Sequence, residues 1–193
     1  LMQKCGFKSS GLFVMDGSRR SSHGNAYFTG FGKNKRIVFF DTLLSRLEGP
    51  EIEAVLAHEL GHFKLHHVLK RIVWSFMVSL VFFALLGFLM QQAWFYEGLG
   101  VSANAPSTAA MALLLFFLIM PVFTFLLHPL SSLYSRKHEF EADAYAKETY
   151  NGNALSTALK KLSSDSLSNL KPHPAYVFVH YSHPPVLQRI KEL

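Results

Sequence analysis

The chain has 193 residues and a mass of 21.8 kDa, a length that fits one or two domains. Half of its residues are apolar, only 17% are charged and 18 are Phe, which excludes a disordered chain and argues against an ordinary soluble globule. A lone cysteine, Cys5, excludes an internal disulfide and any cysteine-based zinc cluster, so zinc would have to come from His and carboxylate.

In chain order, the segments 12–15, 26–31 and 36–40 are rich in Phe, Tyr, Val and Ile, and Gly32-Lys33-Asn34-Lys35 supplies turn chemistry. They predict a small antiparallel sheet. Asp41 is placed to cap a short helix through Leu47, and Gly49-Pro50 opens a long one, with Pro50 at the first position and Glu51 and Glu53 in the first turn. This helix is expected to run unbroken into the apolar stretch 72–90. That stretch and a second one over 109–127 are 19 residues each without a charge, long enough to cross a hydrocarbon core of roughly 30 Å. Pro121 would kink the second, and His128 and Pro129 would end it.

Lys64, Lys70 and Arg71 precede the first stretch, Arg136 and Lys137 follow the second, and the loop between them, 91–108, has no Lys or Arg. By the positive-inside rule both outer ends face the cytoplasm, with Trp94, Phe95 and Tyr96 at the far interface. The positive charge therefore accompanies a lipid bilayer; basic runs interleaved with aromatics are missing, so nucleic acid is not an expected partner. Beyond the second stretch, helices are expected over 136–149 and 154–162, then a Ser-, Pro- and His-rich loop, then a last helix at Pro184-Pro185. The organisation read from this is a first half over 1–71, a transmembrane hairpin over 72–128, and a second half over 129–193. Both halves lie on the cytoplasmic side.

The chemistry is concentrated in His58-Glu59-Leu60-Gly61-His62. Two histidines four apart on a helix project from one face and can bind one Zn2+, while the intervening glutamate acts as general base on the attacking water. A helix-interior Gly costs about 1 kcal/mol relative to Ala, so Gly61 implies close approach by another element. A catalytic zinc takes three protein ligands. In Arg136-Lys137-His138-Glu139-Phe140-Glu141-Ala142-Asp143, Glu139 and Asp143 are four apart, so Glu139 is the candidate third ligand and Asp143 the acceptor of a zinc histidine's free ring N–H. Helical geometry turns Glu141 and His138 away, toward solvent. His66 is a competing ligand candidate, but with Lys64, His67 and Lys70 around it an interfacial basic face is expected instead. His23, His173 and His180 fall in loops, with His180 a candidate for lining the cleft, and Cys5 reads as an ordinary thiol.

Four ordered stretches, NAYFTGFGKNKRIVFFDTLL, HELGHFKLHH, RKHEFEADAYA and HYSHPPVLQRI, together resemble the CAAX prenyl endopeptidase family, integral-membrane zinc metalloproteases that trim prenylated peptides. The resemblance implies one Zn2+ per chain on His58, His62 and Glu139, with Glu59 as catalytic base and Asp143 behind a ligand. It also implies His183 and Arg189 as groups that steady the substrate and the oxyanion, and an edge strand at Asn25, Ala26 and Tyr27 on which an extended peptide lies. Members carry further transmembrane helices before this region, so the chain is expected to correspond to a C-terminal portion of a longer protein. The fold class expected is an α+β membrane protein: a mainly helical, gluzincin-like zinc protease domain with a small antiparallel sheet and a two-helix transmembrane hairpin.

Three functions follow: a zinc endopeptidase acting on membrane-associated or prenylated peptides, a membrane-protein quality-control protease of the bacterial heat-shock type, or a non-catalytic zinc-holding scaffold. An intact Glu59 argues against the last, because a structural site has no need of a base.

Overall fold

The computed structural model describes residues 11–20, 24–29, 36–102 and 108–193. Cys5, His23 and the expected turn at Gly32 to Lys35 lie outside the described residues. The chain divides into two compact units, one formed by Leu1–His67 with Ser131–Leu193 and the other by Val68–Leu130.

In the first unit, strands β1 (Leu12–Met15), β2 (Ala26–Thr29) and β3 (Arg36–Phe40) form a sheet of order β1-β3-β2. β2 pairs antiparallel with β3, but β1 pairs parallel with it, so the all-antiparallel expectation is corrected. The cause is the connection from β1 to β2, which passes the C-terminal end of β3 rather than turning back in a hairpin. Asp41, immediately after β3, ties that connection down: its Oδ1 accepts from the backbone N–H of Gly17 and Ser18 at 2.9 and 3.0 Å. Asp41 is thus the first residue of α1 (Asp41–Leu44), with Phe40 at the cap position, and the short helix ends before Leu47.

Helix α2 (Gly49–Lys64) opens on a capping box in which Glu51 Oε2 accepts from Glu48 N–H at 2.8 Å, and Pro50 sits in its first turn. It buries Ala54, Val55, Ala57 and Leu60 against Leu155, Ala158 and Leu159 of α6 (Gly152–Asp165) and against Ile37 and Phe39 of β3. Lys161 of α6 reaches Glu51 at 2.8 Å. α6 begins at Asn151, whose side chain accepts from the N–H groups of Asn153 and Ala154.

The expected unbroken passage from α2 into the first apolar stretch does not occur. α2 ends at Lys64, and His66 adopts φ 58°, a left-handed conformation that costs a residue with a Cβ roughly 1–2 kcal/mol; α3 (His67–Leu89) starts on the next residue. α5 is a single helix, Thr108–Thr149, that continues through Pro121 and Pro129, so neither proline ends it. α7 (Pro174–His180) occupies the segment expected to be loop: His173 Nδ1 accepts from Ala175 N–H and Pro174 starts the helix. α8 (Val186–Glu192) follows Pro184-Pro185 as expected.

In the second unit, Leu86 and Leu89 of α3, Phe95 and Tyr96 of α4 (Ala93–Glu97), and Ala112, Leu115, Phe116 and Met120 of α5 make a separate core. Most of the remaining apolar surface faces outward, with Phe76, Leu80, Phe83, Phe117 and Leu126 all exposed. α3 and α5 are long and apolar enough to cross a membrane. Of the three interfacial aromatics expected, only Trp94 is exposed; Phe95 and Tyr96 fill the core, and Tyr96 Oη donates to Met90 O at 2.9 Å.

Candidate metal centre

Within the first unit, α2 lies against the stretch of α5 beyond residue 131, and Gly61 sets their separation. A Cβ on Gly61 would meet Ala142 Cα at 3.0 Å, Ala142 O at 3.1 Å and Tyr145 Cβ at 3.2 Å, so the two backbones approach this closely only because the side chain there is a hydrogen. The expected close neighbour of Gly61 is therefore α5.

This approach brings His58 and His62 of α2 to Glu139 of α5. The two Nε2 atoms are 3.2 Å apart, His58 Nε2 is 3.7 Å from Glu139 Oε2, and His62 Nε2 is 3.5 Å from Glu139 Oε1. Zn–N and Zn–O bonds of roughly 2.0–2.2 Å in a tetrahedron place ligand atoms about 3.3–3.6 Å from one another. Each imidazole nitrogen thus stands near this spacing from the other and from one oxygen of the Glu139 carboxylate, Oε2 for His58 and Oε1 for His62, a donor set whose chemistry suits a metal such as zinc. His58 and Glu139 are buried and His62 nearly so, which suits a water-poor site.

The supporting contacts turn both Nε2 atoms inward. His58 Nδ1 is 2.8 Å from Asp143 Oδ1, and Arg189 of α8 holds Asp143 from the other side with a fork, Nε to Oδ2 at 2.7 Å and Nη2 to Oδ1 at 2.6 Å. Arg189 Nη1 also lies 3.6 Å from Glu139 Oε2. The fork spends the guanidinium on orienting Asp143. His183 is mostly exposed, with Nδ1 3.1 Å from Glu139 Oε2. Its segment is held by Arg136, whose Nη1 donates to Val177 O and Tyr181 O at the end of α7. Glu59 lies between the two histidines on α2.

The electrostatics follow from this crowding. Burial pushes Glu59 above the usual carboxylate range, and the Glu139 charge adds to it against the pull of His58. Burial raises Glu139 too, but His183, His58 and Arg189 outweigh it and hold the carboxyl at about 2. Burial, then His58, lowers His62 to about 3, which keeps its imidazole neutral. Asp143 is held down by Arg189 and His58 despite its burial.

Two expectations fail here. His138 is buried, not solvent-facing: its ring stacks on His67 at 4.0 Å with 7° between the planes, and meets Tyr134 edge-on. Glu141 is half-buried and reaches His67 Nε2 at 3.0 Å. Both follow from His67, which the sequence grouped with an interfacial basic face and which is buried, with Nδ1 2.9 Å from His62 Nδ1. In an unbroken helix a residue five on from His62 points about 140° away; the turn at His66 brings it back. His66 itself is exposed and apart from the cluster. Asn25, Ala26 and Tyr27 lie at the start of β2, an edge strand: Asn25 O accepts from Phe40 N–H, Asn25 Oδ1 accepts from Ala26 N–H, and Tyr27 meets Phe40 edge-on. His180 is exposed on α7 against Tyr176.

The model of peptidase family M48 matches residues 1–193. The chain belongs to that family. It is 37% identical to CAAX prenyl protease 1 of Saccharomyces cerevisiae, over 100% of this chain and 46% of the relative. It is 42% identical to the CAAX prenyl protease 1 homolog of Oryza sativa subsp. japonica, over 94% and 42%, and 34% identical to the Homo sapiens homolog, over 97% and 47%. The crystal structure of S. mikatae Ste24p superposes with a TM-score of 0.87 at 35% identity, covering 99% of this chain and 47% of that one. The chain thus spans about half the length of the M48 relatives it matches. Membership in a metallopeptidase family implies a metal cofactor, and the His58, His62 and Glu139 group offers a set of donors for it.

Proposed function

We propose that this chain carries the catalytic centre of a membrane-embedded zinc endopeptidase that cleaves membrane-associated peptides, prenylated CAAX-type peptides among them. The observation that carries the proposal is the convergence of His58 Nε2, His62 Nε2 and the Glu139 carboxylate, with 3.2 Å between the nitrogens and 3.5–3.7 Å from each to a carboxylate oxygen, beside a glutamate on the same helix. The M48 membership and the relatives' name, CAAX prenyl protease 1, support the reading.

His58, His62 and Glu139 would hold one Zn2+, which when bound supplies a Lewis acid that polarises the scissile carbonyl and acidifies water. Glu59 takes the proton of the attacking water and delivers it to the leaving amine; its raised proton affinity, set by burial, suits both halves of that transfer. His183, with its ring at the exposed edge of the cluster, donates to the oxyanion as it forms. Arg189 acts one step back, fixing Asp143 and through it the His58 ring. An extended peptide pairs along the edge of β2 near Asn25, Ala26 and Tyr27, where main-chain hydrogen bonds give affinity independent of sequence. The apolar lengths of α3 and α5 cross the bilayer in this reading, and the Lys and Arg residues flanking them support a cytoplasmic position for the site.

The test is cleavage-site mapping by mass spectrometry on one CAAX peptide in farnesylated and unlipidated forms. Cleavage of the farnesylated form that disappears in Glu59→Gln supports the proposal. Equal cleavage of both forms would remove the prenyl preference, and cleavage that persists in Glu59→Gln would remove the mechanism.

A further inference from the structure

The two histidines of the proposed centre are held from behind in the same way. His58 Nδ1 rests on a carboxylate, Asp143, directly; His62 Nδ1 rests on His67 Nδ1 at 2.9 Å, and His67 Nε2 rests on a carboxylate, Glu141, at 3.0 Å. We propose that His67 and Glu141 are positioning residues for His62, a relay that fixes the tautomer and ring plane of that ligand; this rests on the reading of His62 as a zinc ligand through Nε2.

The proton count supports the direction. A neutral His62 whose Nε2 is given to a metal carries its only ring proton on Nδ1, so it donates to His67 Nδ1. His67 then carries its proton on Nε2 and donates to Glu141 Oε2. The line runs from His62 Nδ1 through His67 to Glu141 and ends on a negative charge, which raises the donor strength of the ligand at its head.

Two further observations point the same way. His67 is buried and its ring is clamped face-on by His138, so its orientation is fixed by packing. And the chain adopts the unfavourable φ of 58° at His66, an exposed residue with a Cβ, at the one place where doing so returns His67 to the His62 face.

His67, His138 and Glu141 also bring three potential donor atoms within 4.8 Å of one another, which raises a second metal site as the competing reading. Ring geometry argues against it. Imidazole lone pairs lie in the ring plane, and two stacked planes 7° apart with centroids 4.0 Å apart confine them to separate, nearly parallel sheets that do not meet at one ion.

The experiment measures Zn2+ affinity of the protein in detergent by competition with a chromophoric chelator, together with zinc content per chain and the visible absorption of the Co2+ form. His58→Ala is the reference for loss of the centre, and His66→Phe is the control one residue away. His67→Phe keeps an aromatic ring in the stack and is expected to weaken zinc binding about 10- to 100-fold and to shift the Co2+ bands. Glu141→Ala is expected to weaken it, with Glu141→Gln recovering most of the loss because the amide oxygen still accepts. If His67→Phe does not fold, the Glu141 pair, at a half-buried position, carries the test. Affinity within twofold of the parent in His67→Phe and Glu141→Ala, with unchanged Co2+ bands while His58→Ala has lost zinc, overturns the relay and leaves the centre standing. Parent-like affinity in His58→Ala overturns the centre itself. Two zinc ions per chain, with one lost in His67→Phe, would establish the second metal site in place of the relay.

Discussion

Replacing Gly61 by Ala sets two effects of known size against each other. Helix propensity favours the substitution by about 1 kcal/mol. The new methyl would sit 3.0 and 3.1 Å from two backbone atoms of Ala142 and 3.2 Å from Tyr145 Cβ, each several tenths of an ångström inside ordinary contact, and none of the three is the end of a flexible side chain. Overpacking of this kind costs about 1–3 kcal/mol, so the metal-free protein should be destabilised by about 0–2 kcal/mol. The larger consequence is local. The only relief is for α2 and α5 to part near Gly61, three residues from His58, one from His62 and opposite Glu139. Separations of 3.5–3.7 Å between the histidine nitrogens and Glu139 then open beyond a zinc tetrahedron, and affinity should fall by about tenfold or more on the scale of misplaced ligands. Thermal unfolding without metal and chelator competition with it read the two effects separately. A Gly61→Ala variant that is stabilised by about 1 kcal/mol and keeps its zinc affinity would refute the argument that the hydrogen at this position sets the site.

Glu59→Gln should retain zinc and peptide binding and lose roughly 10²-fold or more in turnover, measured as kcat on the peptide that the parent cleaves. His183→Phe should lower turnover by roughly tenfold or more without releasing zinc; unchanged kcat would leave the oxyanion donor unidentified. Arg189→Lys should lower zinc affinity and turnover together, because an ammonium cannot reproduce the two-point grip on Asp143, and equal values for parent and variant would show that the fork is dispensable. Burial raises Glu51, but the Lys161 ammonium and the Glu48 N–H outweigh it and hold its carboxyl below 4.5. Its contribution, about 1 kcal/mol for the capping box, is therefore present above pH 4.5 and lost as pH falls through the folded value. Denaturant unfolding of Glu51→Gln should accordingly show a deficit at pH 7 that closes in acid; a deficit independent of pH would disprove the charge-based account.

What could be read from the sequence was what depends on regular helix geometry. His58 and His62, and Glu139 and Asp143, are pairs at i,i+4, and one-face projection holds for any straight helix. Gly49-Pro50, with Glu51 and Glu53 in the first turn, marked the start of α2, whereas the capping box of Glu48 with Glu51 came from the structure. His67 was illegible because its position depends on a break, and nothing in Leu65-His66-His67 is a glycine or proline that would announce one. His138 and Glu141 were misassigned in consequence: their faces of α5 look solvated until His67 is known to be there. The parallel pairing of β1 was hidden because a β-rich segment carries no mark of direction, and the tie that sets it, Asp41 to Gly17 and Ser18, spans more than 20 residues. Phe95 and Tyr96 were taken for interfacial aromatics on composition, whereas α4 turns them into the core of its unit.

One turn of α5 accounts for most of the site. Glu139, Glu141 and Asp143 alternate with Phe140 and Ala142 in a segment where Ala142 supplies the flat surface that meets Gly61. Glu139 lies among the three inward-facing donor atoms, Asp143 is one turn on and takes the back of His58, and Glu141 stands off that line by about 200° from Glu139, which places it to take the back of His67 instead. Three carboxylates within five residues would repel one another if they shared a single environment. Here each has a nearest cationic or N–H partner of its own, Arg189 for Asp143, His183 for Glu139 and His67 for Glu141, with Arg189 also 3.6 Å from Glu139 Oε2, so the helix concentrates negative charge at the centre with every carboxylate held. The same distribution explains why the acidic segment had to be long-helical and rigid: a loop would let the three rotate toward the nearest guanidinium, and the selective wiring of two histidines from one helix turn would be lost.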